Sequence, residues 1–308
     1  MKAVLTIGDC LIDAVEQPDG TFRSYPGGAG LNLAVGLAHL GLDSALLSRV
    51  GADQPGFRLQ RHLRERHVRL INTPNVDFTG SATSRRSQGE PSYVFSSDLR
   101  RRRYIIGPQE QAVLDQAAAV AVNSYPFEDP THAADLAAKL AGAPGLVFVD
   151  PNPRSDLISD VKALRQGLAL VVRHAGLIKL SEEDARLLFG SAGREAVSAL
   201  FGWGVDTIVL TQGRKGATLF ARSGLMIKIP AARSDKPVVD TMGAGDATLA
   251  SIIASCLERG MPYGAESWAA CLEQAMRIAG ATCRSEGGEL VVPENPSGPP
   301  LARTVTPF

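Results

Sequence analysis

From about residue 110 onward, short β-branched and apolar runs alternate with longer stretches of helical period, the pattern of a parallel sheet with helices on both faces. "GLVFVDPN", "GLIKLS", "DTIVLTQG" and "KPVVDTMG" read as four buried strands, each ending in polar or Gly-containing sequence. Such strand ends are where open α/β sheets bind ligands. Between them, "THAADLAAKLAG", "SEEDARLLFG" and "REAVSALFGWG" read as helices closed by glycine.

The first half differs. "KAVLTIGD" and "SALLSRVG" read as sheet strands, whereas "LIDAVEQPDGTFRSYP" and "TGSATSRRSQGEPSYVFSS" have the alternating polarity and turn residues of hairpins. Two such hairpins fit poorly inside a parallel sheet. They predict a small antiparallel lid, residues about 13–25 and 79–105, standing off a single doubly wound α/β domain of residues 1–295. The Pro-rich remainder, 296–308, lacks periodicity and is expected to be an extended or disordered tail.

Charge narrows the partners. With 32 basic and 32 acidic side chains in 308 residues, the chain has no global field to attract nucleic acid or an anionic membrane, so small-molecule ligands are expected. No apolar run approaches the roughly 20 residues that span a bilayer, and "MKAVLTIGDCLID" turns acidic too soon for a signal peptide, so a cytoplasmic protein is expected. Cys10, Cys256, Cys271 and Cys283 form no CxxC and lie in apolar stretches, which suits small buried residues rather than zinc ligands or disulfides.

The candidate chemistry lies in two glycine turns. In "VVDTMGAGDATLAS", Leu249, Ile253 and Leu257 mark one apolar helix face, which puts Gly243, Ala244 and Gly245 at the helix N-terminus. Unpaired N–H groups and the positive end of the helix dipole make that turn an anion site. Asp246 inside it either complements the dipole or takes a proton from an alcohol attacking phosphorus. The turn is not a Walker A loop, since GxxxxGK[ST] is absent from the chain. The second turn, "YPGGAGLNLAVGLAHLG", has Gly27, Gly28 and Gly30 but Leu33 where a dinucleotide fingerprint needs glycine. Its helix carries Leu33, Leu37 and Leu40 on one face and stops at Gly41; Asn32 in the first turn is either a cap or a hydroxyl-binding amide.

Taken together, Gly27 to Gly41 in the pattern GGxxxNxAxxxxxLG and "DTMGAGD" (Asp240 to Asp246) resemble the two signatures of the PfkB or ribokinase-like carbohydrate kinases. "VDPNPR", "IKLSEEDARLL" and "LTQGRKGA" fall between them in the expected order, and "GDCLIDAV" with "VDPNPR" is most similar to bacterial fructokinases. The resemblance implies a doubly wound α/β fold with a β-sheet lid, and transfer of the γ-phosphoryl group of ATP, with Mg²⁺, to a sugar hydroxyl. By position it makes Asp246 the catalytic base and Gly243, Ala244 and Gly245 the anion hole. Asp13, Gly28 and Asn32 would hold sugar hydroxyls, Arg154 would contact phosphate or substrate, and Lys179, Thr211, Gly213 and Gly216 would face the nucleotide. Where the family has Asn-x-x-Glu this chain has Ser181-Glu182-Glu183-Asp184, so Asp184 would reach Mg²⁺ through water. Asp240, Met242, Thr282 and Gly287 mark the place of a monovalent cation such as K⁺, although Val291 stands where a later hydroxyl ligand is expected. A homodimer through the exposed lid edges is a further implication of the fold.

Three other readings stay open. Arg85, Arg86 and Arg100 to Arg103, in or beside the lid, form a solvated face or meet an acidic or phosphorylated acceptor, as in a 2-keto-3-deoxygluconate or sugar-phosphate kinase. A nucleoside or adenosine kinase needs an aromatic platform, for which Phe22, Tyr25, Tyr93, Phe95 and Tyr104 are the candidates. A non-catalytic sugar-binding sensor is the third, and the intact Asp246 and glycine turns argue against it.

Overall fold

The computed structural model describes residues 3–17, 19–73, 76–87, 90–100, 102–233, 236–294 and 301–308. The chain begins with β1 (Ala3–Gly8) and leaves the main sheet for the hairpin β2 (Leu11–Glu16) and β3 (Phe22–Gly27). It returns through α1 (Ala29–His39), β4 (Asp43–Ser48), α2 (Gln54–Glu65) and β5 (Val68–Asn72). A second excursion makes β6 (Ser81–Ser87) and β7 (Glu90–Phe95), followed by the single turn α3 (Ser97–Arg100) and by α4 (Pro108–Gln116). Strands and helices then alternate: β8 (Ala119–Asn123), α5 (Pro130–Ala141), β9 (Leu146–Asp150), α6 (Val161–Val172), β10 (Leu177–Ser181), the pair α7 (Glu182–Phe189) and α8 (Arg194–Gly202), and β11 (Thr207–Thr211). The chain closes with β12 (Ala217–Ala221), β13 (Leu225–Ile229), α9 (Ala244–Arg259), α10 (Gly264–Thr282) and β14 (Thr304–Pro307).

Local chemistry explains the helix starts. Asp53, Asp129 and Asp160 each accept first-turn N–H groups of α2, α5 and α6, satisfying donors the helix itself leaves unpaired. The main sheet runs β14-β13-β12-β11-β10-β9-β8-β1-β4-β5, parallel from β11 to β5 and antiparallel beyond β11. Its buried apolar residues pack on one face against α5, α6, α7 and α8, through Leu136, Leu168, Leu188 and Leu200, and on the other against α1, α9 and α10, through Leu37, Ile253 and Leu272. Because the chain moves outward from β1 to β4 and β5 and then resumes on the other side at β8, the β1/β8 boundary is the topological switch point, the place where doubly wound sheets open a crevice.

The lid is a four-stranded sheet, β3-β2-β6-β7. Its two hairpins are antiparallel, and they join through a parallel β2–β6 pair, because both strands leave the main domain in the same direction. The lid strands end at Phe95, so the expected boundary of 105 is too long: Tyr104 and Ile106 are buried in the main core instead.

Two other expectations are corrected. "KPVVDTMG" is not a strand; Val238 and Val239 are half exposed, and the N–H groups of Val239 and Asp240 donate to the Cys283 carbonyl just past α10. The sheet positions beyond β11 are filled by β12 and β13, which continue it as a hairpin. The tail is not outside the fold either, since Thr304–Pro307 pairs with β13 as the outermost strand and Phe308 packs on Phe201 and Phe220. All four cysteines are free; Cys10, Cys256 and Cys271 are buried and Cys283 is half-buried. Among the described residues no helix is long and apolar enough to cross a membrane.

Candidate active site

Parallel pairing lines up the strand ends. Asn123 of β8 lies between Gly8 of β1 and Asp150 of β9, and Ser181 of β10 pairs with Thr211 of β11. A row of polar residues thus forms where the apolar strands stop. Onto this row the two glycine turns bring the N-termini of α1 and α9.

Gly243 precedes α9 with φ +74°, and a side chain there would collide with the Gly288 carbonyl. Gly28 precedes α1 with φ +100°, and a Cβ would lie 2.7 Å from the Asp9 carbonyl oxygen. Both turns therefore require glycine, for backbone conformation and for close approach. Gly243 caps α9, and Ala244 and Gly245 begin it.

Asp246, 8% exposed, follows in the first turn of α9. Its Oδ2 accepts from Asn32 Nδ2 at 3.2 Å and its Oδ1 from Asn123 Nδ2 at 2.9 Å. Burial, reinforced by the charge of Asp150, raises its pKa to about 6, against the pull of Asn123, Lys179 and Asn32. Such a carboxylate is ionised at neutral pH yet basic enough to accept a proton, the combination general-base chemistry needs.

Beneath the turn, the Lys179 ammonium forms a buried ion pair with Asp150. Lys179 Nζ would be 3.0 Å from a Cβ on Gly245, so the positive charge abuts the anion turn. Burial acts to lower the pKa of Lys179, but Asp150 and Asp184 outweigh it and the lysine stays charged.

Asp13 of β2 stands at the lid base. Desolvation raises its pKa to about 6; Arg154 and the Gly28 N–H oppose the rise, whereas Asp9 and Asp240 add to it. The electrostatic coupling of Asp13 to Arg154 and Asp240 joins the lid base to the "DPNPR" and "DTMGAGD" turns. Arg154 is exposed and, with Arg100, lines a cavity of about 430 Å³ that also borders Tyr125 and Asn152.

Other expected site residues occupy the same edge with different partners. Asp184 forms a reciprocal capping box with Ser181, at 2.7 and 3.0 Å, so the shortened motif also starts α7. Thr211 Oγ1 donates to the Leu180 carbonyl at 3.4 Å, while Gly213 and Gly216 bound the turn between β11 and β12. In the region of the monovalent-cation reading, Asp240 Oδ1 accepts the Met242 N–H at 3.0 Å, and Gly287 turns with φ +82°. The Thr282 hydroxyl donates to the Ile278 carbonyl and accepts from the Val291 N–H. No group of three or more His, Cys, Asp or Glu side chains suited to holding a metal occurs among the described residues.

The arginine reading divides. Arg102 is not on a solvated face: its side chain is buried, with Nε 3.0 Å from Asp9 Oδ1, and Asp9 also accepts from Tyr104 OH and Ser124 Oγ, each at 2.7 Å. Arg103 pairs with Asp129 at the surface. The side chains of Arg85, Arg86 and Tyr93, and residue Arg101, lie outside the described residues. Of the aromatic candidates, Tyr104 is buried in the Asp9 network, Phe95 packs with Leu11, Ala82 and Leu99, and Tyr25 lies under Arg23. These placements take Tyr104 and Phe95 out of a stacking platform for a nucleoside, whereas Phe22 is exposed.

Sequence reasoning missed Asn123, Asp150 and Asp9. Each is a polar residue at the end of an apolar strand, "AVAVN", "LVFVD" and "LTIGD", and that position was the available signal.

The model of the pfkB family carbohydrate kinases matches residues 1–295. A fructokinase of Klebsiella pneumoniae is 32% identical, over 94% of this chain and 96% of its own length, and one of Escherichia coli is 27% identical over the same shares. Among solved structures, Xylella fastidiosa fructokinase with bound ATP superposes with a TM-score of 0.76 at 22% identity, covering 93% of each chain. Aminoimidazole riboside kinase from Salmonella enterica gives 0.76 at 23% identity, over 93% of this chain and 95% of that one. These two agree with the doubly wound fold and its lid. The whole-chain family match and the site geometry converge: this chain belongs to the pfkB family of carbohydrate kinases and is a phosphotransferase acting on a sugar hydroxyl.

Proposed function

We propose that this kinase transfers the γ-phosphoryl group of ATP to a hydroxyl of a monosaccharide, with fructose the foremost acceptor. The observation that carries the reading is Asp246: a buried carboxylate with a pKa of about 6, gripped by two amides at the N-terminus of α9, inside a glycine turn and at the switch point of the sheet. The fructose assignment is supported by the fructokinase relatives, at 27% and 32% identity over 94% of the chain.

In this mechanism the sugar oxygen attacks the γ-phosphorus in line. The new O–P bond forms as the bond to the β-γ bridging oxygen breaks, ADP leaves, and the hydroxyl proton passes to Asp246. Asp13 and the Gly28 turn hold the sugar from the lid side. The Gly243, Ala244 and Gly245 amides, with Lys179 beneath them, stabilise charge on the transferring group. Orientation of two bound reactants contributes on the order of 7–11 kcal/mol, and one anion-hole donor roughly 3–4 kcal/mol. Closure of the lid would exclude water, the competing acceptor.

Mg²⁺ fits the residues present: it keeps several waters and takes ligands from nucleotide phosphates, and Asp150 Oδ1 is buried without a hydrogen-bond partner among the described residues. Asp150 and Asp184 would hold the ion's water shell, and the ion would supply charge neutralisation at the phosphates. For K⁺, Asp240 and backbone carbonyls of this region would be the main ligands, since the Thr282 hydroxyl already donates to the Ile278 carbonyl and accepts from the Val291 N–H.

A second reading, an acidic or phosphorylated acceptor, is favoured by Arg154, which is electrostatically coupled to Asp13 and which, like Arg100 in the same cavity wall, makes no ion pair among the described residues. ADP release from Mg-ATP, followed over fructose, ribose, fructose 6-phosphate, 2-keto-3-deoxygluconate and adenosine, separates the two. Turnover highest with fructose supports the first reading, and turnover confined to an anionic acceptor replaces it with the second. Saturable sugar binding with no turnover on any acceptor would refute both and leave a sensor.

A further inference from the structure

Asn123 is the terminal residue of β8 and is wholly buried at the switch point. Its Nδ2 is shared between the Ala29 carbonyl at 3.2 Å and Asp246 Oδ1 at 2.9 Å, so one amide ties β8 to the first residue of α1 and to the first turn of α9. Its own Oδ1 is buried and accepts no hydrogen bond among the described residues. Turning the amide over does not cure this, because the oxygen would then face the Ala29 carbonyl and the Asp246 carboxylate.

As a purely structural choice this residue is poor, since a buried unpaired carbonyl is unfavourable and an apolar side chain would match the rest of the strand, "AVAV". What the amide achieves is a hold on Asp246. Asn32 reaches the other carboxylate oxygen from α1, at the longer distance of 3.2 Å. The two amides approach from different elements and fix the carboxylate plane, leaving it no freedom to rotate away from an incoming hydroxyl.

We propose that Asn123 is a positioning residue of the phosphoryl-transfer reaction, holding the Asp246 carboxylate in its proton-accepting orientation. This rests on the reading of Asp246 as the base. Asn123 also favours the charged form of Asp246, as do Lys179 from β10 and Asn32 from α1, while Asp150 from β9 opposes it; burial is the dominant influence.

The test is Asn123→Ala, read in two ways. Steady-state kinetics on the accepted sugar is expected to show kcat lowered at least roughly tenfold, with KM for ATP unchanged within about twofold, the pattern of a lost transition-state interaction. The acid limb of the pH profile should rise by about one pH unit, the scale of one charge-assisted hydrogen bond. Carboxyl ¹³C NMR of selectively labelled aspartates, with the Asp246 signal assigned by its loss in Asp246→Asn, should show the same rise without any turnover. Failure of the base assignment is thereby distinguishable: the Asp246 titration would move while the kinetics did not. An unmoved Asp246 titration in the folded variant overturns the proposal. If Asn123→Ala does not fold, Asn123→Leu, which removes the donor at similar volume, replaces it with the same rise expected; an unmoved titration there, or failure of both variants to fold, also overturns it and leaves Asn123 structural.

Discussion

A base held in its charged form inside the protein has a thermodynamic consequence that Asp246→Asn should expose. The carboxyl of Asp246 titrates at about 6 in the fold against an ordinary value of 3.8. Folding therefore favours its protonated form, and the associated stability is present below pH 3.8 and lost as pH rises to about 6. At 1.36 kcal/mol per pH unit, the parent protein is destabilised at neutral pH by up to about 3 kcal/mol relative to acid. Asp246→Asn removes that penalty, less what is surrendered where its NH₂ meets the donor groups of Asn32 and Asn123. For 308 residues, about 3 kcal/mol corresponds to roughly 5 °C in melting temperature, using the average unfolding entropy per residue. Thermal melts of both proteins in matched buffers between pH 4.5 and 8 should show the variant gaining on the parent by several degrees as pH rises. A difference in melting temperature that stays flat with pH would refute the account of Asp246 as a carboxylate ionised against desolvation.

Lys179→Met leaves Asp150 buried and unpaired, so a loss of about 3–5 kcal/mol is expected by chemical denaturation, with Lys179→Met/Asp150→Asn recovering part of it. Gly243→Ala forces a side chain into the Gly288 carbonyl at φ +74° and displaces the α9 amides; kcat should fall about 100-fold or more, the scale of a lost anion-hole donor. Arg154→Gln distinguishes the acceptor classes: KM for a neutral sugar should change by less than about threefold, whereas an anionic acceptor would lose roughly tenfold or more with its charge-assisted bond.

Much of the architecture was legible because periodicity and glycine placement are local properties. The buried strands at 146–150, 177–181 and 207–211, the lid hairpins and the helices after both glycine turns follow from alternation, turn residues and apolar spacing. "KPVVDTMG" misleads because its apolar doublet resembles a strand, while the choice of neighbour is made elsewhere, by the β12–β13 hairpin and the Cys283 carbonyl. The tail strand is likewise invisible locally, since its partner β13 is distant in sequence. At the site, Asp246 and the glycines announce themselves through the helix that follows them. Asn123, Asp150 and Arg102 do not, because their roles depend on which strand ends adjoin in the sheet and on which charge lies across a buried gap.

The measurement closest to the central claim is the turnover of Asp246→Asn beside its ligand affinities. With the accepted sugar and Mg-ATP, the account predicts kcat lowered about 100-fold or more, while sugar and ATP affinities measured calorimetrically stay near those of the parent, since the amides, Asp13 and the glycine turns remain. A variant that turns over at a near-normal rate would contradict the assignment of Asp246 as the base.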